Sequence, residues 1–62
     1  MEEGAYRRAE QFYADYTHAQ IVVVQYLIGD PRVAYNGRFD ESLYKAVVYY
    51  QRQHELVEDG MA

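Results

Sequence analysis

The sequence predicts an all-α fold, a small three-helix bundle that forms a single domain over residues 1–62. Three stretches predict it. Apolar and aromatic residues recur at helical spacing over 43–54, a capping-box pattern marks a helix start at 17–20, and residues 29–31 form a helix stop. A chain of this length buries only about 60% of the surface that its unfolded form exposes, so we expect marginal stability.

The first helix is predicted over residues 3–16. Its inward face is aromatic rather than aliphatic and consists of Ala9, Phe12, Tyr13 and Tyr16. Thr17 then fits an N-cap and Gln20 the reciprocal position of a capping box, which predicts that a second helix starts near Thr17. The alternative is one continuous helix over 3–28 in which Thr17 faces outward; we favour the break.

The run Ile21–Val24 contains four β-branched residues, a composition that on its own favours a strand. Its first and last residues nevertheless share one helical face with Ile28. Gly29 can adopt the left-handed conformation that ends a helix, and Pro31 cannot continue one. The run is therefore predicted to be helical.

Residues 29–39 are predicted to connect the second and third helices. Asn36-Gly37 is a tight-turn dipeptide, because Asn tolerates and Gly prefers positive φ. Val33 or Tyr35 is expected to pack under this loop, and Phe39 is expected to anchor its end.

The third helix is predicted over about 41–54. Asp40 is its expected N-cap, and Glu41 adds favourable charge in the first turn. Its inward stripe consists of Leu43, Ala46, Val47, Tyr50 and His54. Leu56 is the last predicted core residue, and a turn follows at 58–60.

Composition argues against several functional classes. The formal charge of −4 opposes binding to nucleic acid, which needs clustered Lys and Arg, and opposes docking on an anionic membrane. The longest apolar run, Ile21–Val24, is too short to span a bilayer. There is no cysteine, so neither a disulfide framework nor a thiolate zinc site is expected.

No catalytic or metal chemistry is predicted. His18 and His54 lie on different predicted helices, without the spacing of a zinc site or a nucleophile beside them. The carboxylates of Asp40-Glu41 and Glu58-Asp59 are explained by a helix start and a turn. We therefore expect no enzyme activity and no cofactor.

The eight tyrosines are the unusual feature of the composition. Tyr is favoured at recognition surfaces because it joins apolar area to a polar tip, so a Tyr-rich surface could support self-association. The alternative is that most of them are half-buried helix residues.

An ordered set of residues resembles the peptidoglycan-binding domain of the three-helix type. The set is Val24-Gln25, Ile28, Gly37-x-Phe39-Asp40, Ala46-Val47-x-x-Tyr50-Gln51 and Leu56-x-x-Asp59-Gly60, within residues 21–60. Leu43 stands where the family usually has Thr, and Glu55 where it usually has Gly. The family continues into a short closing helix beyond this point. Either the helix at 3–16, which lies outside the resemblance, packs in its place, or the chain has been cut from a longer protein; we favour the first, because the aromatic face of that helix needs burial.

The resemblance implies a non-catalytic module that anchors a partner to the bacterial cell wall. Its motif residues are expected to be structural, with Gln25 and Gln51 hydrogen-bonding loop backbone; they are Gln25, Gly37, Phe39, Asp40, Ala46, Val47, Tyr50, Gln51, Leu56 and Gly60. The expected ligand contacts are Tyr35, Asn36, Arg38 and Asp59, in a shallow groove beside the loop and the 58–60 turn.

The alternative function is a protein–protein assembly module that keeps the fold but not wall binding, since fold does not determine function. Wall binding would place the chain in the cell envelope or outside the cell. Met1-Glu2-Glu3, however, is acidic where a signal peptide would be basic.

Overall fold

The structure is a computed structural model that describes residues 3–61. It contains three helices, α1 (Glu3–Tyr13), α2 (His18–Ile28) and α3 (Glu41–Gln53), and no strand within the described residues. The predicted all-α, three-helix architecture is therefore confirmed. The β-branched run Ile21–Val24 lies inside α2.

The break between α1 and α2 is real, and a complete capping box makes it. The Gln20 N–H donates to the Thr17 hydroxyl at 3.1 Å, and the Thr17 N–H donates to the Gln20 side-chain oxygen at 2.8 Å. α1 itself ends at Tyr13 rather than at the expected residue 16. The Tyr16 N–H donates to the carbonyl of Tyr13, three residues earlier, at 3.0 Å. The chain therefore makes a turn between the end of α1 and the capping box of α2.

The loop between α2 and α3 starts and ends on the expected residues. Gly29 has φ 66° and ends α2 with its N–H on the Gln25 carbonyl. Asp40 caps α3, because its carboxylate accepts the Leu43 N–H at 3.0 Å. Of the two residues proposed to pack under this loop, Val33 is buried and Tyr35 is exposed.

The aliphatic core lies between α2 and α3. Its buried members are Ile21, Val33, Leu43, Ala46 and Val47, with Tyr16, Val24, Ile28 and Phe39 packed against them. The predicted inward stripe of α3 holds through Val47, whereas Tyr50 is half-buried and His54 is exposed. Tyr50 and His54 instead line a groove beside Ile28, at the end of α2.

α1 adds an aromatic cluster to this core. The Phe39 ring lies 4.8 Å from the Tyr13 ring and 5.5 Å from the Tyr6 ring, centroid to centroid, and Tyr6 also meets Tyr44 edge-on at 5.4 Å. Phe39 thus joins the loop, α1 and the core, as its position before α3 suggested. On the predicted α1 face Ala9 and Tyr13 are buried, while Phe12 is exposed.

The prediction that Leu56 is a core residue is wrong, because 55% of its surface is exposed. α3 ends in a Schellman motif: the Leu56 N–H bonds the Gln51 carbonyl at 2.8 Å and the Glu55 N–H bonds the Arg52 carbonyl at 3.2 Å. This motif turns the chain back along the helix end, so Leu56 covers the last turn of α3 instead of entering the core.

Glu55 is the residue that bears the strain of this turn. It has φ 57°, the only positive φ at a non-glycine position within the described residues. We expect Glu55→Gly to stabilise the fold by about 0.5–1 kcal/mol, because Gly adopts this conformation without a Cβ penalty. Thermal denaturation should show a melting temperature a few degrees higher. Glu55→Ala removes the same charge without relieving the strain and should leave the melting temperature near that of wild type.

Candidate functional site

The Asn36-Gly37 turn is held from below by the side chain of Gln25, which is 1% exposed. The Gln25 side-chain oxygen accepts the Gly37 N–H at 3.0 Å. Its amide nitrogen donates to the Asn36 side-chain oxygen at 2.9 Å and to the Arg38 carbonyl at 3.3 Å. The buried amide of Gln25 is thus satisfied by three consecutive residues of one turn, an arrangement that we call the first clamp.

A second clamp repeats this geometry at the end of the described chain. The Gln51 side-chain oxygen accepts the Gly60 N–H at 3.0 Å, and its amide nitrogen donates to the Asp59 carboxylate at 3.0 Å and to the Met61 carbonyl at 2.8 Å. In each turn the Asx side chain also accepts the N–H two residues on, at 3.0 Å. Gln25 of α2 and Gln51 of α3 therefore hold equivalent Asx-Gly turns, at 36–37 and 59–60.

An aromatic ring packs closely against the glycine of each clamp. Gly37 and Gly60 have φ of 68° and 76°, and a Cβ on either would collide with a ring, that of His18 for Gly37 and that of Tyr44 for Gly60. Each ring lies seven residues, two helical turns, before its glutamine. The repeat is visible in the sequence only as an apolar pair followed by Gln at 23–25 and 49–51. The aromatic residue seven positions before each glutamine was not identified from the sequence.

The expected ligand residues lie in or beside these turns, although they do not surround one groove. Tyr35 and Arg38 are exposed at the first turn, and Tyr35 meets Tyr26 edge-on at 6.3 Å. Asn36 and Asp59 each use a side-chain oxygen inside their own clamp. Asn36 lines a hollow with Val33 and Asp40, whereas Asp59 lines a different one with Tyr50, Leu56 and Val57.

Hydrogen bonding lowers the pKa of two carboxyl groups near these features. The pKa of Asp59 is lowered chiefly by the Met61 backbone N–H and also by the Gln51 amide, since both donate to the ionised form. The pKa of Asp30 is lowered to about 2 by the side chain of Arg32, which donates to both of its oxygens at 2.8–3.0 Å.

Acid should therefore weaken the second clamp. Because the folded-state pKa of Asp59 lies below the unfolded value of about 3.9, its contribution to stability is complete above that pH and is lost as pH falls through the folded-state pKa. Asp59→Asn gives the second clamp the same residue type as Asn36 in the first. We expect this variant to keep the stability of wild type at neutral pH and to lose less stability below pH ~4. Chemical denaturation from pH 7 to pH 2 measures this.

Asp15→Asn is the matched control for that experiment. It removes one exposed carboxyl outside both clamps and should leave the acid dependence like that of wild type. An Asp59→Asn protein whose stability falls with acid as steeply as wild type would contradict the role given to Asp59.

Two wider grooves lie elsewhere, along α3. One, of about 380 Å³, lies beside the end of α2 and is lined in part by Ile28, Pro31, Tyr50 and His54. The other, also about 380 Å³, we call the Tyr49 groove. Its lining is Arg32, Tyr44, Lys45, Val48, Tyr49 and Arg52. The sequence did not predict the Tyr49 groove, because Arg32 reaches α3 from the loop that follows α2.

No group of three or more His, Cys, Asp and Glu side chains among the described residues could hold a metal ion. Within the same residues no helix has the length and apolar character needed to cross a membrane. Comparison with protein-family models, with curated proteins and with solved structures finds no match to this chain. The fold and the two clamps therefore define it only as a small all-helical module with open surface grooves.

Proposed function

We propose that this chain is a non-catalytic binding module that anchors a partner to bacterial peptidoglycan. The observation that supports this most is the pair of clamps. The residues that carry the resemblance to the three-helix peptidoglycan-binding domain, Gln25 with Gly37 and Gln51 with Gly60, form two equivalent hydrogen-bonded units. A shared physical role explains why these residue types occur together at this spacing.

The first clamp also presents a rigid surface to a ligand. The Gln25 side chain accepts the Gly37 N–H and donates to the Arg38 carbonyl, and it also donates to the Asn36 side chain, so it holds the turn at residues 36–38. Exposed Tyr35 and Arg38 are therefore attached to a backbone that loses little freedom on binding, which lowers the entropic cost of association. In this proposal Tyr35 offers an apolar face to a sugar or peptide, and Arg38 with Asn36 supplies hydrogen bonds.

Co-sedimentation with purified sacculi at low salt tests the proposal. We expect the wild-type protein in the pellet, with Tyr35→Ala and Arg38→Ala shifted toward the supernatant. Arg8→Ala, which removes an exposed Arg from α1, is the control and should sediment like wild type. A folded wild-type protein that stays in the supernatant would refute wall binding.

A second candidate function, self-assembly, is favoured by an exposed apolar surface on α2. Val23, Tyr26 and Leu27 lie at helical spacing on one face and continue into Tyr35 through its ring contact with Tyr26. Tyr26 and Leu27 are 68% and 69% exposed. We call these four residues the α2 patch; contiguous apolar surfaces of this kind often mark protein contacts.

Light scattering over a range of concentrations tests the second candidate. If the α2 patch joins two copies, the apparent mass rises with concentration, and Leu27→Glu keeps the protein monomeric. Gln11→Glu adds the same charge at an exposed position of α1, away from the α2 patch, and should associate like wild type. A wild-type protein that is monomeric at every concentration would count against assembly.

A further inference from the structure

The fold gathers three of the chain's six basic residues around one tyrosine. Lys45, Tyr49 and Arg52 follow each other at spacings of four and three residues, so they share one face of α3. Arg32 reaches this face from the loop after α2, with its guanidinium carbon 5.9 Å from the centre of the Tyr49 ring. The Tyr49 groove is lined by these cations and by no carboxylate.

Each cation does have an acidic partner, which lies outside the lining. Arg32 pairs with Asp30 at 2.8 Å, Lys45 with Glu41 at 2.8 Å and Arg52 with Glu58 at 3.0 Å. The last two pairs are exposed on both sides, and such pairs contribute only about 0–1 kcal/mol. Ammonium and guanidinium groups have three and five donors, so a second carboxylate can be bound without displacing the first.

We propose that the Tyr49 groove binds the carboxylates of the peptide part of peptidoglycan; this inference rests on the function proposed above. The argument is charge complementarity. The chain as a whole is acidic, with a net charge of −4, so an anionic ligand is repelled from most of its surface. Three cations around an exposed aromatic face fit a ligand that carries carboxylates beside short apolar groups. In peptidoglycan the peptide, and not the sugar chain, has that chemistry.

Binding to purified sacculi stripped of other anionic polymers tests this, measured at low and high salt. We expect Lys45→Gln/Arg52→Gln to bind at least about tenfold more weakly than wild type, and wild-type binding to fall as salt rises. Arg8→Glu changes the net charge by the same amount from α1 and should bind within about twofold of wild type. Circular dichroism confirms that each variant is folded.

A second arm alters the ligand instead of the protein. Sacculi whose carboxylates have been converted to neutral amides should bind wild type as weakly as untreated sacculi bind the double variant. Undiminished binding to amidated sacculi, or equal binding by the double variant, overturns the groove assignment and leaves wall binding intact. No binding of wild type to untreated sacculi overturns the proposed function, and the groove assignment with it.

Discussion

Gly37→Val should destabilise the fold by about 2–4 kcal/mol, a large part of the roughly 3–9 kcal/mol expected for a domain of 62 residues. Gly37 has φ 68°, which a β-branched residue adopts only with strain. Any Cβ there would also collide with the His18 ring, and the Gly37 N–H must keep its bond to buried Gln25. Thermal melting should show a fall of at least about 8 °C.

Gly29→Val separates the two causes. Gly29 has nearly the same φ, 66°, but a Cβ there would meet only the Tyr26 carbonyl oxygen at 3.8 Å, an ordinary contact. It should therefore show the backbone penalty alone, about 1–2 kcal/mol. A Gly37→Val variant that melts like wild type would contradict both the positive φ of Gly37 and its close packing against the His18 ring. If both variants lose the same stability, the His18 ring moves aside freely, as its exposed position would permit.

Gln25→Leu should cost about 2–4 kcal/mol, although it replaces a polar side chain in the core by an apolar one of similar size. The Gly37 N–H is buried and has Gln25 as its acceptor, so the variant leaves a buried donor unpaired. The amide donors to Asn36 and Arg38 are lost at the same time. Urea denaturation measures the change, and an unaltered midpoint would show that the clamp contributes nothing to stability.

Gln51→Leu is the matched variant in the second clamp. It removes three equivalent hydrogen bonds, but from the turn at 59–61, which lies outside the loop that joins α2 to α3. That turn can open without separating α2 from α3, so we expect a smaller loss, about 1–2 kcal/mol. Equal losses would show that both turns are integral to the cooperative unit.

Gln25→Glu tests the hydrogen-bond directions of the first clamp. A carboxylate could still accept the Gly37 N–H, but it would oppose the Asn36 and Arg38 oxygens that the amide nitrogen now contacts. Burial and these neighbours would raise the pKa of the introduced carboxyl group above its unfolded value. Its stability relative to wild type should therefore recover as pH falls toward about 4, whereas the Gln25→Leu deficit should not change with pH.

Local signals determined most of the fold from the sequence. The capping box at Thr17, the glycine at Gly29 and the N-cap at Asp40 depend on backbone donors within four residues, so residue type and spacing suffice to predict them. The core stripe of α3 was readable through Val47, because helical periodicity places its members on one face. Leu56 was assigned to the core wrongly, because helical periodicity no longer applies after the Schellman motif has ended the helix.

By itself, then, the sequence determined where α2 and α3 begin and which residues of α3 face the core through Val47, because those properties follow from short-range hydrogen bonding and helical geometry. Only the tertiary structure decided that Gln25 and Gln51 hold equivalent turns, through contacts between residues 8 to 13 positions apart in the sequence. It alone also brought Arg32 over Tyr49, into one groove with Lys45 and Arg52. Such contacts depend on how the loop packs against α3, and no periodicity within one segment encodes that packing.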